Sequence, residues 1–282
     1  MHTFKNDGDY AVTGDNVKIY FEDDGNKANP PVFIIPGLGG SEESYNHIAE
    51  RMQDDFRIIK IDGRGIGLSD KPEGNYTIPM LVKDVVAVLK KLNLESAHIL
   101  GHSLGGFVAQ ELYNLHPEMV RTLILVCTNM GYGDSHSQLA TRETVETFNE
   151  QVQPTDPKFQ EKLLKKTLLM FDPSFVYSEE GRDAIMELSQ INQTRVEYES
   201  LEKRGYAGWN YSNFENLKKI NVPVLVIQGD SDKMVPRENA DIFEREIPDC
   251  TKVVFEKCGH HPFIEKPELF VKTLEGFIRE KG

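Results

Sequence analysis

An α/β fold built on a mostly parallel, doubly wound sheet is predicted by three features of the chain. Short β-branched runs bounded by Gly, Pro, Asp or Asn recur along it, and several are apolar without interruption, as in strands covered on both faces. Segments of helical periodicity alternate with those runs. One interval of roughly a hundred residues contains no strand-like run and is several times an ordinary crossover, which predicts a helical insertion.

The elements follow in order. A first strand is expected over 17–22 and a second, VFII, over 32–35; a helix over 41–52 then starts at Ser41, with Glu43 and Ser44 in its first turn. After a strand at 57–61, the segment 77–92 carries Leu81, Val85, Val88, Leu89 and Leu92 at helical spacing, with Lys and Asp on the opposite side. A strand at 97–100 precedes a helix at 104–115, and a strand at 122–126 closes the first half. In the long interval, Asp156-Pro157 reads as an N-cap and first-turn pair opening a helix to about Met170, and Ser178 as the cap of another helix running towards Lys203. Strands at 224–228 and 252–256 and a helix at 267–279 complete the pattern. The expected organisation is a core of residues 1–128 and 214–282 carrying a helical lid at 129–213, with no internal repeat.

Composition narrows the partners. The 282 residues are 39% hydrophobic and 27% charged, an ordinary globular mixture that excludes collagen-like, disordered and membrane-spanning classes. A formal net charge of −13 with no Lys/Arg cluster beyond adjacent pairs argues against nucleic acid and against an anionic membrane surface. The first ten residues, MHTFKNDGDY, lack a basic stretch followed by an apolar core, so no secretory leader is expected and a reduced cytoplasm is the default location. The three cysteines, Cys127, Cys250 and Cys258, have neither an even count nor metal-ligand spacing; neither disulfides nor a metal site is expected.

The sharpest local signal is Gly101-His102-Ser103-Leu104-Gly105-Gly106, a G-x-S-x-G placed between a strand-like run and a helical one. A nucleophile on a tight strained turn needs neighbours without a Cβ so that backbones can pack close, and Ser103 would then present its hydroxyl at the sheet's carboxyl edge. A serine hydroxyl is a weak nucleophile at neutral pH and needs a base that is itself oriented by a carboxylate. Candidates for both lie just past later strands, in Gly229-Asp230-Ser231-Asp232 and in Gly259-His260-His261.

With these motifs, and with Pro36-Gly37-Leu38-Gly39-Gly40 and Asp62-Gly63-Arg64-Gly65-Ile66-Gly67-Leu68-Ser69, the chain resembles the α/β-hydrolases, in their esterase and lactonase branch, over nearly its whole length. The resemblance implies the α/β-hydrolase fold with an all-helical cap inserted after the sixth strand of that fold. It assigns the acid to Asp232, three residues after a Gly, rather than Asp230, and the base to His260, directly after a Gly, rather than His261. The oxyanion donors it implies are the backbone N–H groups of Leu104, after the nucleophile, and of Leu38, in the glycine-rich loop. Pro36 departs from the commoner pattern, where a His often precedes that Gly; proline offers no side-chain hydrogen bond, so other contacts must hold the loop. Asp62 and Arg64 read as a structural turn, and His102 as pointing into the fold. Met130, Met234 and Val235, close behind strands, and Trp209 in the insertion are expected to line an apolar pocket.

The implied reaction is acyl transfer through a Ser103 acyl-enzyme. The expected substrate is a small to medium, largely uncharged carboxylic ester or lactone, with no cofactor and no metal. Serine in place of a carboxylate nucleophile speaks against dehalogenase or epoxide-hydrolase chemistry. Three alternatives remain: hydrolytic C–C cleavage of a vinylogous diketone, whose enzymes often carry Asn where His102 stands; a hydrolase-fold receptor that binds a small ligand with little turnover; and cofactor-independent oxygen or peracid chemistry. Composition is silent on oligomeric state.

Overall fold

A computed structural model describes residues 8–153 and 155–282. Residues 1–7, part of the segment read above for a leader, and Pro154 lie outside the described residues. The first half runs β1 (Asp9–Val12), β2 (Lys18–Asp24), β3 (Pro31–Ile35), α1 (Asn46–Met52), β4 (Arg57–Ile61), α2 (Ile78–Lys91), β5 (Ala97–His102), α3 (Leu104–Leu115) and β6 (Val120–Val126). Five helices follow without a strand: α4 (Arg142–Asn149), α5 (Phe159–Met170), α6 (Pro173–Val176), α7 (Glu179–Arg195) and α8 (Tyr198–Trp209). The chain returns to the sheet with β7 (Val224–Gly229), α9 (Glu238–Glu246), β8 (Cys250–Phe255), α10 (Pro262–Glu265) and α11 (Pro267–Lys281).

The eight strands form one sheet in the order β1-β2-β4-β3-β5-β6-β7-β8. Only the β1–β2 and β2–β4 pairs are antiparallel, so β3 to β8 all end at the same edge. The uninterrupted apolar runs serve two cores. Phe33, Ile35, Ile99, Leu123, Leu125 and Val226 face one layer, formed by α2, α3 and α9; Val32, Ile34, Leu100, Ile124, Val126 and Ile227 face the other, formed by α1, α10 and α11. The helical stripe foreseen on α2 is buried at Leu81, Val85, Val88 and Leu89, and the Thr77 hydroxyl caps its first turn by accepting the Met80 N–H. Each such side chain contributes about 1.5–3 kcal/mol on burial.

The sheet differs from expectation at its edge and in its helix starts. β1 is a short edge strand, exposed at all but Ala11, with no apolar alternation to betray it. Ser41 makes no side-chain cap; a 3-10 turn at Glu42–Tyr45 precedes α1. The Asp156 carboxylate accepts the Lys158 N–H in a turn, so α5 begins at Phe159 rather than at Pro157. Ser178 does cap α7 through the Gly181 N–H, but that helix stops at Arg195, where Val196 bridges to Ile66, and α8 starts afresh. α5 buries none of its residues, and α7 buries only Gly181 and Ile191. α8 buries Ser200, Arg204, Ala207 and Gly208, so it carries much of this insertion's attachment to the core. Among the described residues, no helix is long and apolar enough to cross a membrane.

Candidate active site

Ser103 stands where β5 turns into α3. Its backbone is held at φ 53°, ψ −119°, a conformation that L-residues rarely adopt. Three bonds over-determine it: the Ser103 N–H donates to Val126 O at 2.9 Å, and its carbonyl accepts from the Gly106 N–H at 2.8 Å and the Thr128 hydroxyl at 2.7 Å. The neighbouring glycines leave no room for a side chain. A Cβ on Gly105 would lie 2.1 Å from Ile35 O, and one on Gly101 2.3 Å from Gly105 O. The chain crossing at this turn therefore requires glycine, and the strain is stored at the serine alone.

Asp232 follows β7 and His260 follows β8, which brings both loops to the edge where Ser103 sits. Asp232 Oδ2 accepts from His260 Nδ1 at 2.8 Å, and its Oδ1 accepts the N–H groups of Met234 and Val235 at 2.8 and 2.9 Å. A bond of Asp232 Oδ2 to Gln228 Nε2 at 3.2 Å completes the carboxylate's shell. Asp230 is engaged differently: it is exposed and accepts the Cys258 N–H. The Nδ1 of His261 has no partner among the described residues. The structure thus brings together Asp232 and His260, and neither alternative.

His102 points inward. Its Nε2 donates to the backbone carbonyl of His260 at 2.9 Å, and its ring lies 4.8 Å from the His260 ring. Burial holds its pKa well below the ordinary histidine value, so it is a neutral strut under His260. Cys127, Asp232 and His260 each bring one donor atom within 4.8 Å of the others. Burial pushes the Cys127 thiol well above its ordinary pKa, which opposes the thiolate a metal would require.

Among the oxyanion candidates, the Leu104 N–H heads α3 and has no intrahelical acceptor by position. Leu38 lies in the loop after β3, and Gly37 beside it abuts the serine, with a Cβ there falling 3.2 Å from Ser103 Cβ. That loop, which Pro36 leaves without a side-chain tether, is held by Arg204 of α8: its guanidinium donates to Leu38 O at 3.2 Å and reaches Gly37 O at 3.5 Å. Arg64 is structural, fully buried and paired with Asp84 and Asp15. Asp62 accepts the N–H groups of Glu42 and Leu68.

The pocket expectation divides. Met130 and Val235 are buried and Met234 is half-buried. Trp209 is 57% exposed, with its ring 5.5 Å from that of Tyr132. Tyr132, unnoticed in the sequence, is the inner aromatic. It packs on Phe107, and burial together with the Asp232 charge raises its phenol to about 12.

A second residue missed in the sequence is Glu265 of α10. Its carboxylate accepts the Gly259 N–H beside His260 and the Asp172 N–H at the end of the turn after α5, at 2.9 and 2.8 Å. Across the same junction, the His260 N–H donates to Met170 O at 2.7 Å and the Ser231 hydroxyl to Asp172 Oδ2 at 2.6 Å. Burial pushes Glu265 up to about 7, against the pull of those N–H groups. A carboxyl raised in the folded state contributes stability that is complete below its unfolded value near 4.5 and is lost as pH rises through about 7. Glutamine mimics the protonated acid and does not titrate, so the Tm of Glu265→Gln relative to the wild type should depend on pH. It should be lowest near pH 4.5 and higher at pH 8; thermal melts showing a constant or falling difference would contradict this.

A family model described as alpha/beta hydrolase fold matches residues 30–267. A pimeloyl-[acyl-carrier protein] methyl ester esterase from Aeromonas hydrophila is 26% identical over 88% of this chain and 95% of its own. A 2-hydroxy-6-oxo-6-(2'-aminophenyl)hexa-2,4-dienoic acid hydrolase from Metapseudomonas resinovorans is also 26% identical, over 89% and 85%. Among solved structures, the esterase RhEst1 from Rhodococcus sp. ECU1013 superposes with a TM-score of 0.82 at 26% identity, covering 98% of this chain and 99% of that one.

Proposed function

The chain belongs to the α/β-hydrolase fold family, and from that premise we propose that it is a serine hydrolase of small to medium, largely uncharged carboxylic esters or lactones. The observation that carries this reading is the 2.8 Å bond between His260 Nδ1 and Asp232 Oδ2 at the sheet edge where Ser103 is held strained. Asp232 fixes the proton on Nδ1, which leaves Nε2 free as the base. Ser103 Oγ attacks the carbonyl carbon as its proton passes to Nε2. The carbonyl π pair moves onto oxygen, where the N–H groups of Leu38 and Leu104 stabilise it. Collapse expels the alkoxide, which takes the proton from Nε2; water, deprotonated by the same nitrogen, then releases the acid and restores Ser103. Residues 129–213 act as a lid over the carboxyl edge, and Met130, Tyr132, Met234 and Val235 supply the apolar wall of the acyl site.

A net charge of −13 supports uncharged substrates over polyanions. Relatives of equal identity include a methyl ester esterase and a hydrolase of a 2-hydroxy-6-oxo-dienoic acid, so overall likeness does not single out an ester. The test is one panel: aryl esters of increasing acyl length, lactones, and a vinylogous diketone. Steady turnover is expected on short or medium esters or on lactones, and little on the diketone. Turnover of the diketone alone would assign C–C hydrolysis. Binding without turnover anywhere in the panel would favour a receptor.

A further inference from the structure

We infer that Arg204, reaching down from α8, is a positioning residue for the oxyanion hole: it orients and polarises the Gly37–Leu38 peptide whose N–H faces the developing charge. The inference rests on the hydrolase reading above and deepens it.

Arg204 is a buried cation, and no carboxylate among the described residues bonds to it. Its guanidinium is spent on three backbone carbonyls, with Nε donating to Leu38 O, Nη1 to Arg64 O at 3.0 Å and Nη2 reaching Gly37 O. An arginine buried without an ion pair is costly and keeps its charge at neutral pH, its pKa falling through desolvation only to about 10. The surrounding chain makes room for it: a Cβ on Gly63 would lie 2.8 Å from Nη1.

Peptide planarity gives the arrangement its consequence. In a trans peptide the C=O of Gly37 and the N–H of Leu38 point in opposite directions, so a donor holding Gly37 O turns the Leu38 N–H away from the lid. Withdrawing electron density at the oxygen also makes that N–H a stronger donor, as in any chain of polarised hydrogen bonds. The second bond, to Leu38 O, fixes the following peptide, and so the loop cannot rotate about Leu38. The same helix also packs against the side chain of the residue that carries the other candidate donor, a Cβ on Gly208 falling 3.2 Å from Leu104 Cδ1. Leu201 likewise approaches Gly39. One lid helix therefore braces both halves of the hole, and Arg204 replaces the loop tether that Pro36 does not provide.

The test uses the full chain with three substitutions: Arg204→Met, Arg204→Lys and Gly63→Ala. Gly63 has no positive φ, so alanine there is permitted by the backbone and acts by displacing the guanidinium. For each folded variant, kcat and KM are measured on the best ester of the panel. Affinity is measured for a trifluoromethyl ketone, which forms a tetrahedral oxyanion on Ser103, and for the matching secondary alcohol, which has the shape without the charge. Arg204→Met should lose about 10- to 100-fold in kcat with KM within about threefold, and lose ketone affinity by the same factor while alcohol affinity holds. Arg204→Lys and Gly63→Ala should fall between it and the wild type. Unchanged kcat and ketone affinity in folded Arg204→Met, or equal loss of ketone and alcohol affinity, would overturn the inference. Should Arg204→Met not fold, Gly63→Ala and Arg204→Lys are judged by the same two criteria. Failure of the hydrolase reading itself looks different: the wild type would turn over no ester or lactone, or Ser103→Ala would match it.

Discussion

Ser103→Ala is expected to lose at least about 10³-fold in turnover on the preferred ester while folding as the wild type does. The side chain of Ser103 makes no cap bond to α3, and the bonds that hold its backbone use only its N–H and carbonyl. Alanine therefore removes the nucleophilic oxygen and leaves the turn intact, including its strain, since its Cβ meets the same φ of 53°. Ser103→Gly supplies the control. It is equally inactive, yet it relieves the positive φ and should raise stability by about 1 kcal/mol. Initial rates, thermal melts and covalent labelling by an aryl phosphonate check the set; only the wild type should be labelled. Retention of a tenth or more of wild-type turnover by Ser103→Ala would remove Ser103 from the nucleophile's role.

Asp232→Asn should cost nearly as much, about 10³- to 10⁴-fold in kcat, for a reason the hydrogen bonds dictate. Oδ1 of Asp232 accepts two backbone N–H groups, from Met234 and Val235, and only an oxygen can satisfy both. The asparagine oxygen is thereby fixed at that position, and its NH2 must occupy the place of Oδ2, opposite His260 Nδ1. An amide N–H facing Nδ1 drives the imidazole proton to Nε2, the nitrogen that has to accept the serine's proton. The ring stays where it was and carries the wrong tautomer. Stability should fall modestly, because the new NH2 also faces the Gln228 Nε2 donor that Oδ2 accepted from, and the rate of phosphonate labelling at Ser103 should fall by the same factor as kcat. Turnover within tenfold of wild type would mean that Asp232 does not set the tautomer.

Both predictions concern residues legible in the chain, and the reason is local. Each of Ser103, Asp232 and His260 lies within a few residues of an apolar strand end and within three residues of a glycine that the close backbone packing demands, so its neighbours advertise it. The sheet was legible likewise: Phe33 and Val32 serve opposite cores, and a strand buried on both faces must be apolar throughout. β1 and α9 were not, since DYAV is short and mostly exposed and ENADIFERE is short, charged and buries only Asn239, Ala240, Ile242 and Phe243. In the insertion the break between α7 and α8 escaped notice because Val196 leaves the helix to bridge Ile66, a contact between distant segments.

The attachment of the helical insertion to the loops at the sheet's carboxyl edge was invisible for the same reason. Arg204 bonds to carbonyls of Gly37, Leu38 and Arg64, and Glu265 ties Gly259 to Asp172. No motif surrounds either residue, and their partners are backbone atoms, which have no residue type to read. Sequence alone determined the fold class and seven of the sheet's eight strands, because periodicity and turn glycines are short-range demands of the backbone, and the family resemblance singled out the three residues proposed for the chemistry. Tertiary structure alone decided that Trp209 is exposed, that Tyr132 feels the charge of Asp232, and that an arginine of the insertion holds the loop Pro36 leaves untethered. Those outcomes depend on which buried charges and carbonyls meet once the sheet closes and desolvates them, and desolvation is a property of the packed chain, not of any window along it.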